Sequence, residues 1–462
     1  MLSLLDDGHR LCDGITRREW MRIGGVGLGG LTLPSLRQAQ SALPTSVVPT
    51  AKRVILLGLT GGAPQHETWD PKPEAPNGIR GDFGTIASAT PGLNVGELMP
   101  LTAKWTNRIA VLRAVVTGDS SHSSSGYQML TGIPHQPRNR ESALPKPPNN
   151  WPCVGAMVRA LKEETGQIPA AITVPEHIWN DGNFPWPGQD AGFLGRPFDP
   201  WLINCQPQDN TFNVPGLTLG KDVAALRLQR RRRLLDQIDD ARSHLDSARS
   251  VGTYRAHARQ ALELLTRGKA GAAFDLNRES DKTRDRYGRS RYAQSVLLAR
   301  RLIEADVSLV QINWTRIKGK PNQGGWDTHA KHCESLKSFL MPMMDRAYTA
   351  LLQDLDERGL LDETLIVWSG EFGHTPKINR NAGRDHWGHC FSVALAGGGI
   401  RGGVVHGSSD KHAGFPVDGV VAPRDIIATV FHCLGYEPDT LLHDPLNKPF
   451  PISRGHVIEQ VL

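Results

Sequence analysis

The stretch that most constrains the fold is Leu361 to Gly373, LDETLIVWSGEFG. Within it, Thr364 to Trp368 is a short β-rich run with no polar alternation. That is the pattern of a central strand in a parallel sheet, covered by helices on both faces. Ser369 and Gly370 end the run, and Glu371 stands just past its carboxyl end. In open α/β sheets that rim is where ligands and catalytic groups gather.

Other apolar runs repeat the pattern. Arg53 to Leu59, Arg108 to Val116, Ala170 to Val174, Val307 to Asn313 and Phe391 to Ala396 read as strands. Between them lie stretches with helical spacing: Trp151 to Glu164, Lys221 to Ser250, Tyr254 to Thr266, about 289–304, Leu336 to Leu355 and Pro423 to Leu434. Pro342 is expected to kink its helix, and Gly359 to cap it. The alternation predicts an α/β fold, a mostly parallel sheet flanked by helices, with a helical insertion over about 221–304. Residues 175–215, dense in Trp, Pro, Gly and Asn, read as an irregular segment folded over a site or as an insertion. The glycine-rich AGGGIRGG follows a strand without opening a helix and reads as a turn.

The first forty residues differ from the rest. Thr16-Arg17-Arg18-Glu19-Trp20-Met21-Arg22 precedes a mildly apolar, glycine-rich segment, and Ala39-Gln40-Ser41 offers a small-residue cleavage site. This order predicts a twin-arginine signal peptide over 1–41, a linker over 42–52 and a main domain over 53–462, exported to the periplasm or beyond. There is no apolar run of ~18 residues, so no membrane span is expected. A net charge of +6 is small for 462 residues and argues against nucleic acid as a partner. The Arg230–Arg233 run is followed by Asp236, Asp239 and Asp240 and reads as a solvated, ion-paired helix face. Cys12 leaves with the signal, and five cysteines remain with no CxxC pair, so the sequence assigns no disulfide.

Carboxylates and imidazoles cluster after the predicted strands. Asp327 and His329 stand in GGWDTH, Glu371 in GEFGHTP, Asp385 and His386 in GRDHWGH, and His66 and Asp70 after the first strand. Mixed carboxylate and imidazole ligands suit a divalent metal ion, with zinc, manganese, magnesium and calcium all open. SHSSSGYQMLTG places His122, Ser123, Ser124 and Ser125 at a helix N-terminus, where amides bind anions and the helix dipole activates a nucleophile.

Two of these segments resemble the alkaline phosphatase and sulfatase superfamily. LDETLIVWSGEFG is similar to its T-L-[IV]-V-x-[ST]-S-D-[HN]-G strand and loop, with Glu371 where the metal-binding Asp stands. SHSSSGYQMLTG resembles the sulfatase C-x-P-S-R-x-x-L-x-T-G loop, whose cysteine becomes formylglycine. With TGGAPQHETWDPKP, GGWDTH and AGGGIRGGVVHGSSD, the chain more closely resembles the exported, sulfatase-like domain-of-unknown-function family numbered fifteen-zero-one. The resemblance implies an alkaline-phosphatase-like three-layer sandwich and a metal-dependent hydrolase of phosphate or sulfate esters, small or on a polysaccharide. It carries no defined substrate.

Three departures bear on mechanism. His122 takes the formylglycine position, Gly126 replaces the sulfatase Arg, and Phe372 replaces the metal-binding His or Asn. Formylglycine chemistry is therefore not expected. The nucleophile is His122, one of Ser123 to Ser125, or a water activated by metal, and Asp385-His386 is the first place to look for further ligands. A binding or scaffold protein with a degenerate site is the alternative. The sequence does not fix the oligomeric state.

Overall fold

The computed structural model describes residues 47–162, 168–179, 184–212, 214, 230, 233–234 and 268–462. The expected signal peptide, the first part of the linker (42–46) and the helices expected at 221–250 and 254–266 lie outside the described residues, apart from 230 and 233–234.

Eight strands form the main sheet. They are β1 (Arg53–Gly58), β2 (Ile109–Val115), β3 (Ala171–Val174), β4 (Trp201–Leu202), β5 (Leu309–Asn313), β6 (Thr364–Ser369), β7 (Phe391–Ala396) and β8 (Val405–His406). Their spatial order is β8-β2-β7-β6-β1-β5-β3-β4. β1 pairs in parallel with β5 and β6, β5 with β3, β3 with β4, and β2 with β8. Only β7 runs against its neighbours, β2 and β6. The sheet is thus mostly parallel, as the strand pattern predicts. The two short edge strands β4 and β8 carry no pattern that the sequence reading picked up.

The absence of polar alternation in β6 has a direct cause. Ile366 and Trp368 face one core, with helices α3 (Arg291–Glu304) and α4 (Met341–Glu357). Leu365 and Val367 face the other, with helices α2 (Val154–Leu161) and α5 (Pro423–Cys433). Every residue from Thr364 to Trp368 is therefore buried. The result is a three-layer sandwich, helices on both faces of the sheet. α3, at the C-terminal end of the range expected as an insertion, packs directly on the sheet. The turn Leu336–Leu340 ahead of α4 is wider than an α-turn, and Pro342, which lacks an N–H, follows it. Gly359 adopts φ 67° after α4, as expected of its cap.

Register sets the functional rim. Gly58 at the end of β1 pairs with both Asn313 of β5 and Ser369 of β6. Three parallel strands end level, and the loops after them converge on one patch. A further helix, α1 (His122–Thr131), enters that patch by its N-terminus. Cys153, Cys205, Cys333, Cys390 and Cys433 are all free thiols. Among the described residues no helix is long and apolar enough to cross a membrane.

Burial on both faces of β6 has a measurable consequence. Leu365→Ala and Ile366→Ala, on opposite faces, are each expected to cost about 2–5 kcal/mol of stability in denaturant titrations. A one-sided sheet would make one of the two nearly neutral.

Candidate metal centre

Asp327 owes its position to its neighbour. Trp326 is fully buried against the core, and its N–H donates to Thr60 O at 3.3 Å. The next residue therefore emerges at the end of β1, beside Gly61. Gly61 has φ +105°, and a Cβ there would lie 2.2 Å from Asp327 N, so only glycine fits. The Gly61 N–H donates to both carboxylate oxygens of Glu371, at 2.9 and 3.1 Å. One glycine thus ties together the loops that follow β1, β5 and β6.

Around the Asp327 carboxylate stand His122, His329 and His386. His122 Nε2 lies 3.1 Å from Asp327 Oδ2. His329 Nε2 and His386 Nε2 each lie 2.9 Å from Oδ1, and 3.0 Å from one another. Ligand atoms of His122, Asp327 and His386 all fall within 4.8 Å.

The other ring nitrogens fix the tautomers. His122 Nδ1 is 2.7 Å from Glu371 Oε1, His329 Nδ1 is 2.8 Å from Asp385 Oδ1, and His386 Nδ1 is 2.8 Å from the Ser120 carbonyl. Carboxylates and carbonyls only accept, so each Nδ1 carries a proton and donates it. In neutral imidazoles each Nε2 is then a bare lone pair aimed at a carboxylate. Such an array is repulsive unless protons or a cation lie between its members. Donors ~2.0–2.2 Å from one zinc ion sit roughly 3 Å apart. The donor set and its spacings therefore fit a divalent cation. A ligating imidazole whose other nitrogen donates to a carboxylate or carbonyl is the usual arrangement in metal sites.

Without a cation, protons must supply the balance. Burial pushes His122 down, but hydrogen bonds and charges from Asp327 and Glu371 outweigh it and raise the imidazole to about 10. The hydrogen bond to Asp327 leads in raising His329 to about 9. Burial pushes Asp327 up, but hydrogen bonds from the three imidazoles hold it well below the usual carboxylate range.

The other residues singled out in the sequence take different places. Glu371 is buried, and its carboxylate is taken up by His122 and Gly61. Asp385 accepts from His329 and, at 3.0 Å, from Asn379 Nδ2. Phe372 stacks on His386 with centroids 4.4 Å apart and lies 5.0 Å from the His122 ring, so the benzene ring steadies two imidazoles. Ser123, Ser124 and Ser125 are fully buried. Ser124 Oγ donates to Asp119 Oδ1 at 2.8 Å, and Ser125 Oγ reaches Thr117 Oγ1 and Glu371 O. Gly126 is required by Trp186, because a Cβ would meet its ring at 2.3 Å. That ring stacks on His122 with centroids 5.8 Å apart. The N-terminus of α1 is capped by Glu141, whose Oε1 accepts from His122 N–H at 2.7 Å.

His66 and Asp70 are brought elsewhere. His66 Nε2 donates to His412 O at 2.8 Å, and burial, helped by Arg384, lowers its pKa to about 4, so it is neutral. Asp70 pairs with Lys72 at 3.0 Å and Arg113 at 3.6 Å and accepts from Ser409.

A second buried set, not flagged by the sequence reading, braces the loops. Arg384 donates to Glu67 Oε1 at 2.7 and 3.1 Å and to the carbonyls of Thr375, Pro376 and Ile79. Glu67 Oε2 lies 3.3 Å from His332 Nε2, and His332 Nδ1 bonds Thr328 Oγ1 at 2.6 Å. Arg384 and Thr328 are chain neighbours of Asp385 and Asp327, so one ion pair fixes both loops. The only signal for it was adjacency to the metal-type motifs. Trp186 likewise lies in the flagged 175–215 segment, and Asn379 between two quoted motifs, without any residue-level pattern.

The imidazoles open on a cleft of about 520 Å³, walled by Trp179, Trp186 and Trp314 with Arg316, Asn322 and Gln323.

The family profile described as "Protein of unknown function (DUF1501)" matches residues 51–462. No curated protein sequence matches. Among solved structures, the PsFucS1 sulfatase from Pseudoalteromonas sp. is similar at 13% identity and a TM-score of 0.39, over 90% of this chain and 72% of that one. The lipoteichoic acid synthase LtaP from Listeria monocytogenes is similar at 10% identity and a TM-score of 0.34, over 85% and 76%.

The shifted imidazoles give a pH dependence for the metal-free chain. A pKa raised on folding adds stability that is full below the unfolded value and is lost as pH rises through the folded one. For His122 that window runs from 6.5 to about 10, and for His329 from 6.5 to about 9. The melting temperature of chelator-treated protein is expected to fall steadily between these limits. A flat profile would contradict the protonated array.

Proposed function

The chain belongs to the DUF1501 family, and we propose that it is an exported, metal-dependent hydrolase of phosphate or sulfate esters. The observation that carries this reading is the convergence of three Nε2 atoms on the Asp327 carboxylate with every Nδ1 already donating. His122, Asp327, His329 and His386 would hold the ion. Three imidazoles and one carboxylate favour zinc or another borderline transition ion over magnesium or calcium, which prefer oxygen. The ion, when bound, supplies Lewis-acid polarisation of the ester oxygens and lowers the pKa of a water.

The chain's own residues do the rest. Glu371, Asp385 and the Ser120 carbonyl hold the three imidazoles in one tautomer and one orientation. Phe372 and Trp186 fix the ring planes by stacking. In this assignment Glu371 and Asp385 orient ligands and are not themselves ligands. Arg316, exposed on the cleft wall, offers a guanidinium to the ester oxygens. The serine hydroxyls of α1 are buried, and those of Ser124 and Ser125 are committed to other partners, which leaves water as the nucleophile. His66 and Asp70 take no part. The ester class rests on the likeness of LDETLIVWSGEFG and SHSSSGYQMLTG to phosphatase and sulfatase segments. The export reading rests on Thr16 to Arg22 and the segment after it.

The experiment is metal analysis followed by a turnover screen with aryl phosphates, aryl sulfates and phosphodiesters. Folded protein is expected to bind about one equivalent of zinc and to turn over at least one ester class. His386→Ala should abolish both. Glu371→Gln should keep the fold but weaken zinc about 10–100-fold by removing the carboxylate behind His122. Failure of any divalent ion to bind would end the metal reading. Metal binding without turnover would leave the scaffold alternative in its place.

A further inference from the structure

The cleft over the imidazoles does not end at its own wall. Trp314 and Arg316 line it and also line a second groove of about 780 Å³ on the far side. Each lobe alone falls within the ~300–1,000 Å³ of an ordinary small-molecule site. Because Trp314 and Arg316 form a wall common to both, a ligand longer than a single residue can contact the two lobes at once.

The second groove has a marked charge. Arg289, Arg291, Arg316, Lys318, Lys320 and Arg346 line it, and none of its lining residues is acidic. Two of these cations are already balanced: Arg289 by Asp281 and Asp285, and Arg291 by Glu176. Lys318 and Lys320 have no carboxylate partner among the described residues, and Arg346 makes no ion pair there, although its charge, behind the hydrogen bond from Arg289, helps to hold the Asp285 carboxyl down. Arg346 donates only to the carbonyls of Arg286 and Asp285, and Lys320 lies 5.5 Å above the Phe339 ring. All three are exposed. Cations along one groove, next to the cleft over the imidazoles, mark a surface complementary to repeated negative charge.

The aromatic residues distinguish among polyanions. Single-stranded nucleic acid is gripped by stacking bases on open aromatic faces. Here Tyr287, Tyr292 and Trp314 are buried, and Tyr292, Trp314 and Trp326 pack on one another with successive centroids 4.5 and 5.3 Å apart. No ring lining this groove is left as an open platform for a base, and the exposed ring of Trp179 belongs to the cleft over the imidazoles.

We infer that the basic groove is a subsite for an anionic polysaccharide. Resting on the hydrolase reading, the metal centre takes one ester of that chain, Arg316 lies at the junction, and Lys318, Lys320 and Arg346 bind the anionic groups that flank it. The ligand is defined by its chemistry: a glycan chain carrying sulfate, phosphate or carboxylate groups along its length.

Binding alone tests this, independently of catalysis. Full-length protein is titrated calorimetrically with a heparin oligosaccharide, with neutral dextran of similar length and with a single-stranded DNA oligonucleotide, at low and high salt. Heparin is expected to bind with an affinity that falls as salt rises, and dextran not to bind. Lys318→Ala, Lys320→Ala and Arg346→Ala combined should weaken heparin about fivefold or more, since each exposed pair contributes modestly. The triple variant should hydrolyse a small aryl ester at the unchanged rate, which also shows that it folds. His386→Ala should still bind heparin, so loss of the metal reading and loss of this one are separable. Absence of heparin binding, equal binding of dextran, tighter binding of the DNA oligonucleotide, or an unaffected triple variant would each overturn the assignment.

Discussion

The carboxylate of Asp327 collects three imidazoles, and each imidazole is held by a proton on its far nitrogen. That arrangement costs energy in its neutral form, because lone pairs face a negative charge. It persists only if protons or a cation occupy the middle. Proteins seldom assemble such an array without using it, since acceptors that face one another at about 3 Å repel even where, as here, they are only partly buried. Much of the local architecture follows from holding these groups together against their mutual repulsion.

The scaffold that does so is made of close approaches. Gly61 lets the loops after β1, β5 and β6 touch, and Gly383 sits so near His329 that a Cβ would lie 1.9 Å from its carbonyl oxygen. The fully buried Arg384–Glu67 pair ties the loop before His386 to the loop after β1. Breaking one partner of such a pair leaves an uncompensated charge in the interior, a cost of about 3–5 kcal/mol. The aromatic rings of Phe372 and Trp186 then set the imidazole planes. The benzene ring of Phe372 is thus a positioning element, stacked on His386 where that ring faces Asp327.

Parts of this were legible in the chain itself. The two-sided burial of Thr364 to Trp368 dictated a strand inside a helix sandwich, and the periodic helices dictated its layers. Asp327, His329 and His386 carried the residue types of a metal site just after strands, and the structure brings them together. Other parts were not legible. Glu371 reads as a ligand from its place past β6, but its oxygens are occupied by His122 and Gly61. His66 and Asp70 follow a strand as the others do, but their loop turns toward His412, Lys72 and Arg113. His122 lay in a serine-rich helix start that reads as an anion seat. Its ring faces Asp327, while two of the serines are consumed by Asp119, Thr117 and a backbone carbonyl.

By itself, the sequence determined the layers, the mostly parallel sheet and the rim on which chemistry-bearing residues would gather. Hydrophobic periodicity is a local quantity and survives in one dimension. Only the tertiary structure decided which nitrogen of each histidine faces Asp327 and which carboxylates stand behind the imidazoles. It also decided that the basic groove shares Trp314 and Arg316 with the cleft. Those depend on distances of about 3 Å between residues far apart in the chain, such as His122 and Asp327. No spacing along the chain encodes them.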